Sequence, residues 1–375
     1  MSVKKIIIIG CGFAGSSAAA AIRARSRDAL ITVIDKAEAQ NFMPLLPDTL
    51  GRGIDPAVLT YPIIGLCKQY RFAYINNPVK SVDLDKRKVI TTTRSFDYDY
   101  LLISSGSETN FYGNDRIMIN AFKLDDARDA GIIRNALQNQ RRKSYLIAGG
   151  GYTGIEVATN LRCFLSARKD NAPVIILERA GDILGPLPGW MKDYVRENLK
   201  ALGIGVMAAA TVESIDNRAV TISGGKVFND SMLIWAAGVR TADFIQAFKA
   251  QKNPQGRVSV DQYLRLSDNC FIAGDAAGLA AVGGMLRMAV QFAITQGDCA
   301  GRNIVRSIEG RPLLQYRPVD LGYVIPMANN RSCGIIMGKK VSGVFPTALH
   351  YGMCIYRSRG LRNRSGIIRQ LLTGR

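Results

Sequence analysis

The chain has 375 residues, too many for one ordinary domain and enough for two or three. Its 47% hydrophobic and 21% charged residues are a globular composition, which excludes disorder, and no apolar run reaches the roughly 18 residues of a spanning helix. The 49 Lys and Arg against 30 Asp and Glu leave a formal charge of +19, which implies an acidic partner: a membrane surface, a nucleic acid or an acidic carrier protein.

Met1 to Lys5 lead straight into the apolar run Ile6 to Ile9, leaving no room for a signal peptide. Directly after it comes Gly10-Cys11-Gly12-Phe13-Ala14-Gly15, and Ser16 to Arg25 has the small, apolar composition of a helix packed tightly on a sheet. A strand over Ala29 to Ile34 ends in Asp35, with Lys36 next. An acid about 20 residues past the last glycine is placed to accept hydrogen bonds from an adenosine ribose. Asn41 to Pro47 is apolar and proline-stiffened, a wall for a flat ring or a plain structural loop. Strands are predicted at Val79 to Leu84, Lys88 to Thr93 and Asp99 to Ser104, the last running into Ser105-Gly106-Ser107.

The plan then repeats, about 140 residues on. Tyr145 to Ala148 leads into Gly149-Gly150-Gly151-Tyr152-Thr153-Gly154, followed by a helix over Ile155 to Phe164 and a strand over Val174 to Leu177. Glu178 stands where Asp35 stood. A helix over Trp190 to Leu202, strands through Val212 to Ile222 and another over Met232 to Ala236 follow. Phe271 and Ile272 then lead into Ala273-Gly274-Asp275, and Gly297 to Ile308 reads as a helix. Two G-x-G-x-x-G loops, each between a strand and a helix, set backbone N–H groups and a helix N-terminus against a pyrophosphate. One loop is a weak signal; two with matching acids imply two dinucleotides, as electron transfer requires. The fold class is therefore α/β, with two Rossmann-like nucleotide-binding domains.

The seven cysteines form no C-x-x-C or similarly short pair, so no metal site or local disulfide is indicated, and the scatter fits buried thiols in a reducing compartment. The single histidine, His350, lies far from every motif and reads as incidental. After Asp320 the chain has no acidic residue, yet six arginines run from Arg357 onward among Leu361, Ile367, Ile368, Leu371 and Leu372. Such a terminus reads as a segment on an anionic lipid surface.

These residues together resemble the two-dinucleotide-binding-domain flavoproteins of the pyridine nucleotide-disulfide oxidoreductase type, and within them the type II NADH:quinone oxidoreductases. The resemblance rests on Gly10 to Gly15 with Asp35, on Tyr98 to Ser107 (similar to the family's A-T-G segment), and on the second loop with Ile155-Glu156. It rests also on Ile234 to Val239 and Ala273-Gly274-Asp275. Pro44-Leu45-Leu46 resembles the P-L-L segment beside the flavin, and Val290 to Gln296 resembles the quinone pattern A-Q-x-A-x-Q-Q, departing from it at Val290 and Thr295.

The resemblance implies FAD held by Gly10, Gly12, Phe13, Ala14, Gly15, Asp35, Lys36, Ser105, Gly106, Gly274 and Asp275. It implies NADH held by Gly149, Gly151, Tyr152, Thr153, Gly154 and Glu178, whose carboxylate disfavours the 2′-phosphate of NADPH; Arg179 beside it softens that preference. Catalytic roles fall to Glu156 near the nicotinamide–flavin contact and to Gln291 and Gln296 near a quinone. From the residues alone, Glu156 fits an ordinary helix carboxylate equally well, and the two glutamines fit exposed helix positions. The implied plan is an FAD domain in two parts (1–110 and 236–315), an inserted NADH domain (111–235) and a C-terminal membrane- or partner-interaction region (316–375). The expected enzyme is peripheral on the inner face of the cytoplasmic membrane and is drawn as a possible homodimer without specific nucleic acid. Rival readings are a soluble reductase of a small acidic carrier of the rubredoxin or ferredoxin type, a sulfide:quinone oxidoreductase, and a redox-gated nucleic-acid binder.

Overall fold

The computed structural model describes residues 4–281 and 284–374. Met1 to Val3 and Arg375, the last of the six arginines, lie outside them. Tertiary contacts gather the chain into two compact units. The first takes Met1–Gln40, Tyr61–Glu108 and Val239–Val319, and the second takes Asn41–Thr60, Thr109–Gly238 and Asp320–Arg375.

In the first unit the described residues form a six-stranded sheet ordered Arg265–Ser267, Cys270–Ile272, Tyr100–Ile103, Lys5–Ile9, Leu30–Asp35, Ala73–Asn76. All pairs are parallel except the antiparallel edge strand Arg265–Ser267. Strand residues point alternately to opposite faces, and both faces are covered. Ile6, Ile8, Val33, Leu102 and Phe271 enter one core, while Ile7, Ile9, Ile34, Leu101 and Ile272 enter another. Burial on both sides is why these strands read as unbroken apolar runs. The first core is roofed by two helices, Phe13–Arg25 and Val290–Ile308. Their backbones approach so closely that a Cβ on Gly297 would lie 2.1 Å from the carbonyl oxygen of Ala14, and one on Gly301 would lie 2.7 Å from that of Ala18. A three-stranded antiparallel sheet over Val79–Asp83, Lys88–Thr91 and Ser95–Asp97 completes the plan.

The second unit repeats it. A parallel sheet runs Ile204–Met207, Val174–Leu177, Ser144–Ala148, Ser231–Trp235, with the helix Tyr152–Ala167 after its central strand. Tyr145, Ile147, Ile176 and Ile234 feed one core, and Leu146, Ala148, Leu177, Leu233 and Trp235 feed the other. A second antiparallel trio spans Val212–Asp216, Ala219–Ile222 and Val227–Phe228.

Segment 41–60 and the chain from Asp320 belong with the second glycine loop for identifiable reasons. Asp55 N–H donates to Gln370 Oε1 at 3.0 Å, Asn363 Nδ2 donates to the Thr60 carbonyl at 2.8 Å, and Gly51 lies against the backbone of Asn160. The basic terminus folds as a three-stranded sheet over Gly322–Ile325, Ser332–Ile336 and Lys339–Gly343, then as the helices Val344–Arg357 and Leu361–Thr373. No helix among the described residues is long and apolar enough to cross a membrane.

Helices begin earlier than the apolar pattern predicts. Each loop helix starts directly at the residue after its second glycine, Phe13 or Tyr152, and the helix predicted from Gly297 starts at Val290, so that it carries Gln291 and Gln296.

Candidate functional site

Both glycine loops have the same construction. Gly10 and Gly149 close their strands at φ +92° and +105°, where a side chain would be strained, and a Cβ on either would lie within 2.5 Å of a carbonyl oxygen on the neighbouring strand's exit. Gly15 and Gly154 each approach the carbonyl of the first glycine so closely that a Cβ would sit 1.9 Å from it. Gly12 and Gly151 cap the helices, and a Cβ on either would meet nothing within 4 Å. The middle glycine is thus small toward open space, as a bound pyrophosphate demands.

The acids brace these loops in matching ways. Asp35 Oδ2 accepts the N–H of Cys11 at 2.6 Å and Oδ1 accepts that of Ala37 at 2.8 Å. Glu178 Oε2 accepts the N–H of Gly150 at 2.7 Å and Oε1 accepts that of Ala180 at 2.7 Å. Burial raises the Asp35 carboxyl above its ordinary range, against the lowering pull of those two backbone N–H groups. Lys36 is paired with Glu108 at 3.5 Å. Beside Glu178, the Arg179 guanidinium lies 6.0 Å from the ring centroid of Tyr112.

The Ser105 loop lies at the strand exit next to Gly10. Ser104 Oγ donates to the Gly10 carbonyl at 3.0 Å, Gly106 takes φ +71°, and Ser105 Oγ is buried without a hydrogen-bond partner among the described residues. An orphaned hydroxyl beside a phosphate-type loop fits a dinucleotide's polar backbone as its missing partner. Ser107 Oγ donates to Asp275 Oδ2 at 2.8 Å, in the turn where Gly274 takes φ +73°. Asp275 is raised mainly by burial, partly offset by Ser107 and the Arg257 guanidinium. Arg257 is 3% exposed and donates to the carbonyls of Ala277 and Leu286. Arg257 stands in no motif, so sequence reading had no signal for it; Ser107 closes the Tyr98 to Ser107 segment but was assigned no role of its own. The residues present fit FAD on the first loop and NADH on the second.

Gln296 is buried, and its Oε1 accepts the Gly274 N–H at 2.7 Å, so it holds the Asp275 turn. Gln291 is half-buried one turn earlier on the same helix, and its carbonyl accepts from Thr295 Oγ1 at 2.9 Å. Glu156 lies in the second unit, on the helix after the second loop, and burial together with the Asp48 carboxylate pushes it well above the ordinary carboxyl range. His350 is not isolated: its Nε2 lies 3.6 Å from Cys354 Sγ. Burial holds His350 down at about 4 and pushes the Cys354 thiol up, so the pair is neutral and is not an activated nucleophile.

The family model described as pyridine nucleotide-disulphide oxidoreductase matches residues 4–297. The type II NADH:quinone oxidoreductase of Staphylococcus aureus is 23% identical over 369 residues, covering 91% of each chain. Among solved structures, NDH2 of Plasmodium falciparum in complex with NADH superposes with a TM-score of 0.85 at 17% identity, over 98% of this chain and 97% of that one. The sulfide:quinone oxidoreductase of Aquifex aeolicus gives 0.78 at 18%, over 97% and 92%. A family match running from the first strand into the helix that carries both glutamines leads to one conclusion: the chain belongs to the pyridine nucleotide-disulphide oxidoreductase family, as an enzyme whose cofactors are FAD and NADH.

Proposed function

We propose that the enzyme takes a hydride from NADH onto FAD and delivers the electrons to a membrane quinone. The observation that carries this reading is the place of Glu156 on the helix after the second loop, where burial and the Asp48 carboxylate push its carboxyl above the ordinary range. Reducing a quinone consumes protons as well as electrons, whereas a rubredoxin- or ferredoxin-type carrier takes electrons alone. Burial and the Asp48 carboxylate raise the Glu156 carboxyl well above its ordinary range and so favour its protonated form, which suits an acceptor that takes up protons. The sulfide reading needs a reactive thiol. Burial instead raises Cys163 and pushes Cys333 up to about 12, which keeps both as thiols.

In this reading Gly10, Gly12, Phe13, Ala14 and Gly15 receive the FAD pyrophosphate, with Asp35 and Lys36 at the adenosine end. Ser105, Gly106, Gly274 and Asp275 serve the remainder of that cofactor. The second loop, through Gly149, Gly151, Tyr152, Thr153 and Gly154, receives NADH, and Glu178 selects against NADPH by repelling its 2′-phosphate. Two-electron chemistry comes from the bound flavin. Gln296 acts by fixing Gly274, Gln291 faces the acceptor, and Glu156 supplies a proton.

The basic terminus serves as the contact with an anionic lipid surface on the inner face of the cytoplasmic membrane. Val344, Phe345, Tyr356, Leu361 and Leu372 are exposed on the two terminal helices, and Arg357, Arg359, Arg362, Arg364 and Arg369 stand among them. The deciding experiment is anaerobic. NADH should bleach the flavin absorbance rapidly, and a short-chain quinone should restore it rapidly. Bleaching with no recovery would overturn the quinone assignment in favour of a protein acceptor.

A further inference from the structure

The second unit presents an aromatic ring at the mouth of its glycine loop that no motif marks. Tyr112 is 58% exposed and takes φ +54°, with Gly113 next at φ +75°. That backbone conformation favours glycine or asparagine over a bulky side chain. The turn is nevertheless held from several sides. Tyr112 N–H donates to Asn110 Oδ1 at 2.8 Å, Asn110 N–H donates to the Gly238 carbonyl at 3.0 Å, and Trp235 Nε1 donates to the Asn110 carbonyl at 2.8 Å. Phe111 stacks on Trp235 with ring centroids 6.0 Å apart.

These bonds fix the ring beside the loop. Tyr112 Oη donates to the Ala237 carbonyl at 2.9 Å, and a Cβ on Gly238 would lie 2.3 Å from that hydroxyl oxygen, so the glycine leaves room for it. Ala236 and Ala237 are also the backbone against which Gly149 packs: a Cβ on Gly149 would lie 2.5 Å from the Ala236 oxygen and 2.8 Å from Ala237 Cα. Tyr112 therefore stands at the exit of the strand Ser231–Trp235, on one side of Gly149. Arg179 stands on the other side, two residues past the strand Val174–Leu177. It is exposed, and its guanidinium comes within 6.0 Å of the Tyr112 ring centroid. The Glu178 carboxylate next to it is taken up by the N–H groups of Gly150 and Ala180.

We propose that Tyr112 and Arg179 are the two faces of an adenine site, which receives the base of NADH while Glu178 stands at its ribose. The proposal rests on NADH lying at the second loop, and it does not depend on the electron acceptor. An aromatic ring and a planar guanidinium each offer a flat face to a purine, and the cation adds its attraction to the π-system. Hydrogen bonding makes the tyrosine the fixed face, and exposure makes the arginine the mobile one. A base between them takes about 3.5 Å on each side, so the 6.0 Å separation widens by about 1 Å as the arginine swings.

Two measurements on the FAD-loaded enzyme test this. The first is calorimetric titration with ADP-ribose, which is NADH without its nicotinamide. Tyr112→Asn removes the ring with a residue suited to the left-handed backbone, and Arg179→Leu removes the cation. Each should weaken ADP-ribose about tenfold, the scale of one lost stacking face. Tyr112→Phe keeps the ring, loses only the bond to Ala237, and should stay within about threefold of wild type. Unchanged affinity in Tyr112→Asn, or an equal loss in Tyr112→Phe, overturns the stacking role. The second measurement is flavin bleaching by NADH and by reduced nicotinamide mononucleotide, which has no adenosine. In Tyr112→Asn the ratio of the two kcat/KM values should fall about tenfold. A merely structural role would lower both and keep their ratio, which overturns the proposal. Gly151→Asp places a carboxylate where a Cβ meets nothing within 4 Å, and should abolish ADP-ribose binding. Full binding by that variant overturns the placement of NADH at the second loop, and the adenine site with it. Loss there with none at Tyr112 and Arg179 overturns the adenine site alone.

Discussion

The carboxylates Asp35 and Glu178 do more than stand at strand ends, because each ties two backbone N–H groups at its loop. Charge-assisted bonds of this kind are worth about 1.5–3 kcal/mol each before compensation. Glu178→Ala should therefore raise the KM for NADH at least about tenfold while flavin content holds, and should narrow the preference over NADPH. Steady-state kinetics with both nucleotides checks this, and an unchanged KM would mean the loop stands without its brace. His350 permits a second test at this scale. Its folded value, about 4, lies below its ordinary value of 6.5, so its contribution to stability is present above pH 6.5 and is lost as the pH falls toward 4. Asp48 runs oppositely: raised to about 6, it favours the fold below 3.8 and loses that contribution as the pH rises through 6. His350→Gln should flatten the acid side of the stability curve by up to about 3 kcal/mol. Urea midpoints at pH 7 and pH 4.5 read the difference, and parallel losses in variant and wild type would count against it.

Among elements, the tightest constraint is the contact between the helices Phe13–Arg25 and Val290–Ile308. Gly297→Ala would drive a methyl group onto the Ala14 carbonyl, 2.1 Å from the new carbon, and backbone there has no rotamer with which to yield. Overpacking of this kind costs about 1–3 kcal/mol. Because it displaces the helix that opens the first glycine loop, the variant should lose FAD as well as thermal stability, and the flavin-to-protein ratio reports it. The parallel strands, both loops and their acids were legible in the sequence, because double-sided burial writes apolar runs and phosphate loops need glycines at fixed spacing. Helix starts were less so: Tyr152 and Val290 open helices by backbone geometry that apolar periodicity does not record. Gln296 was legible as a residue of interest, but its bond to Gly274 was not, since the pattern says nothing of where a side chain turns. Asp48, Arg52 and Tyr351, which meet where the Asp48 carboxylate accepts from Tyr351 Oη and pairs with Arg52, were invisible as a group. They are separated by some 300 residues and join only through folding.

For the molecule as a whole, nine of the formal +19 charges stand in the acid-free terminus after Asp320. If that terminus is the lipid contact, the protein should sediment with vesicles containing phosphatidylglycerol, release as salt rises, and ignore neutral phosphatidylcholine vesicles. Paired Phe345→Ser and Leu361→Ser changes should weaken the attachment left at high salt, and equal retention on neutral vesicles would argue for an apolar contact alone. The order of the strands has another effect, felt during synthesis. Tyr100–Ile103 sits between Lys5–Ile9 and Cys270–Ile272, so one flank of a central strand is made about 170 residues after the strand itself. At about 5–20 residues per second, that edge waits roughly 10–30 s on the ribosome with its ladder of N–H and C=O groups unmatched. A nascent chain paused within that interval would expose an adhesive β-edge, which makes the span before Cys270 the stretch where chaperones have most to guard.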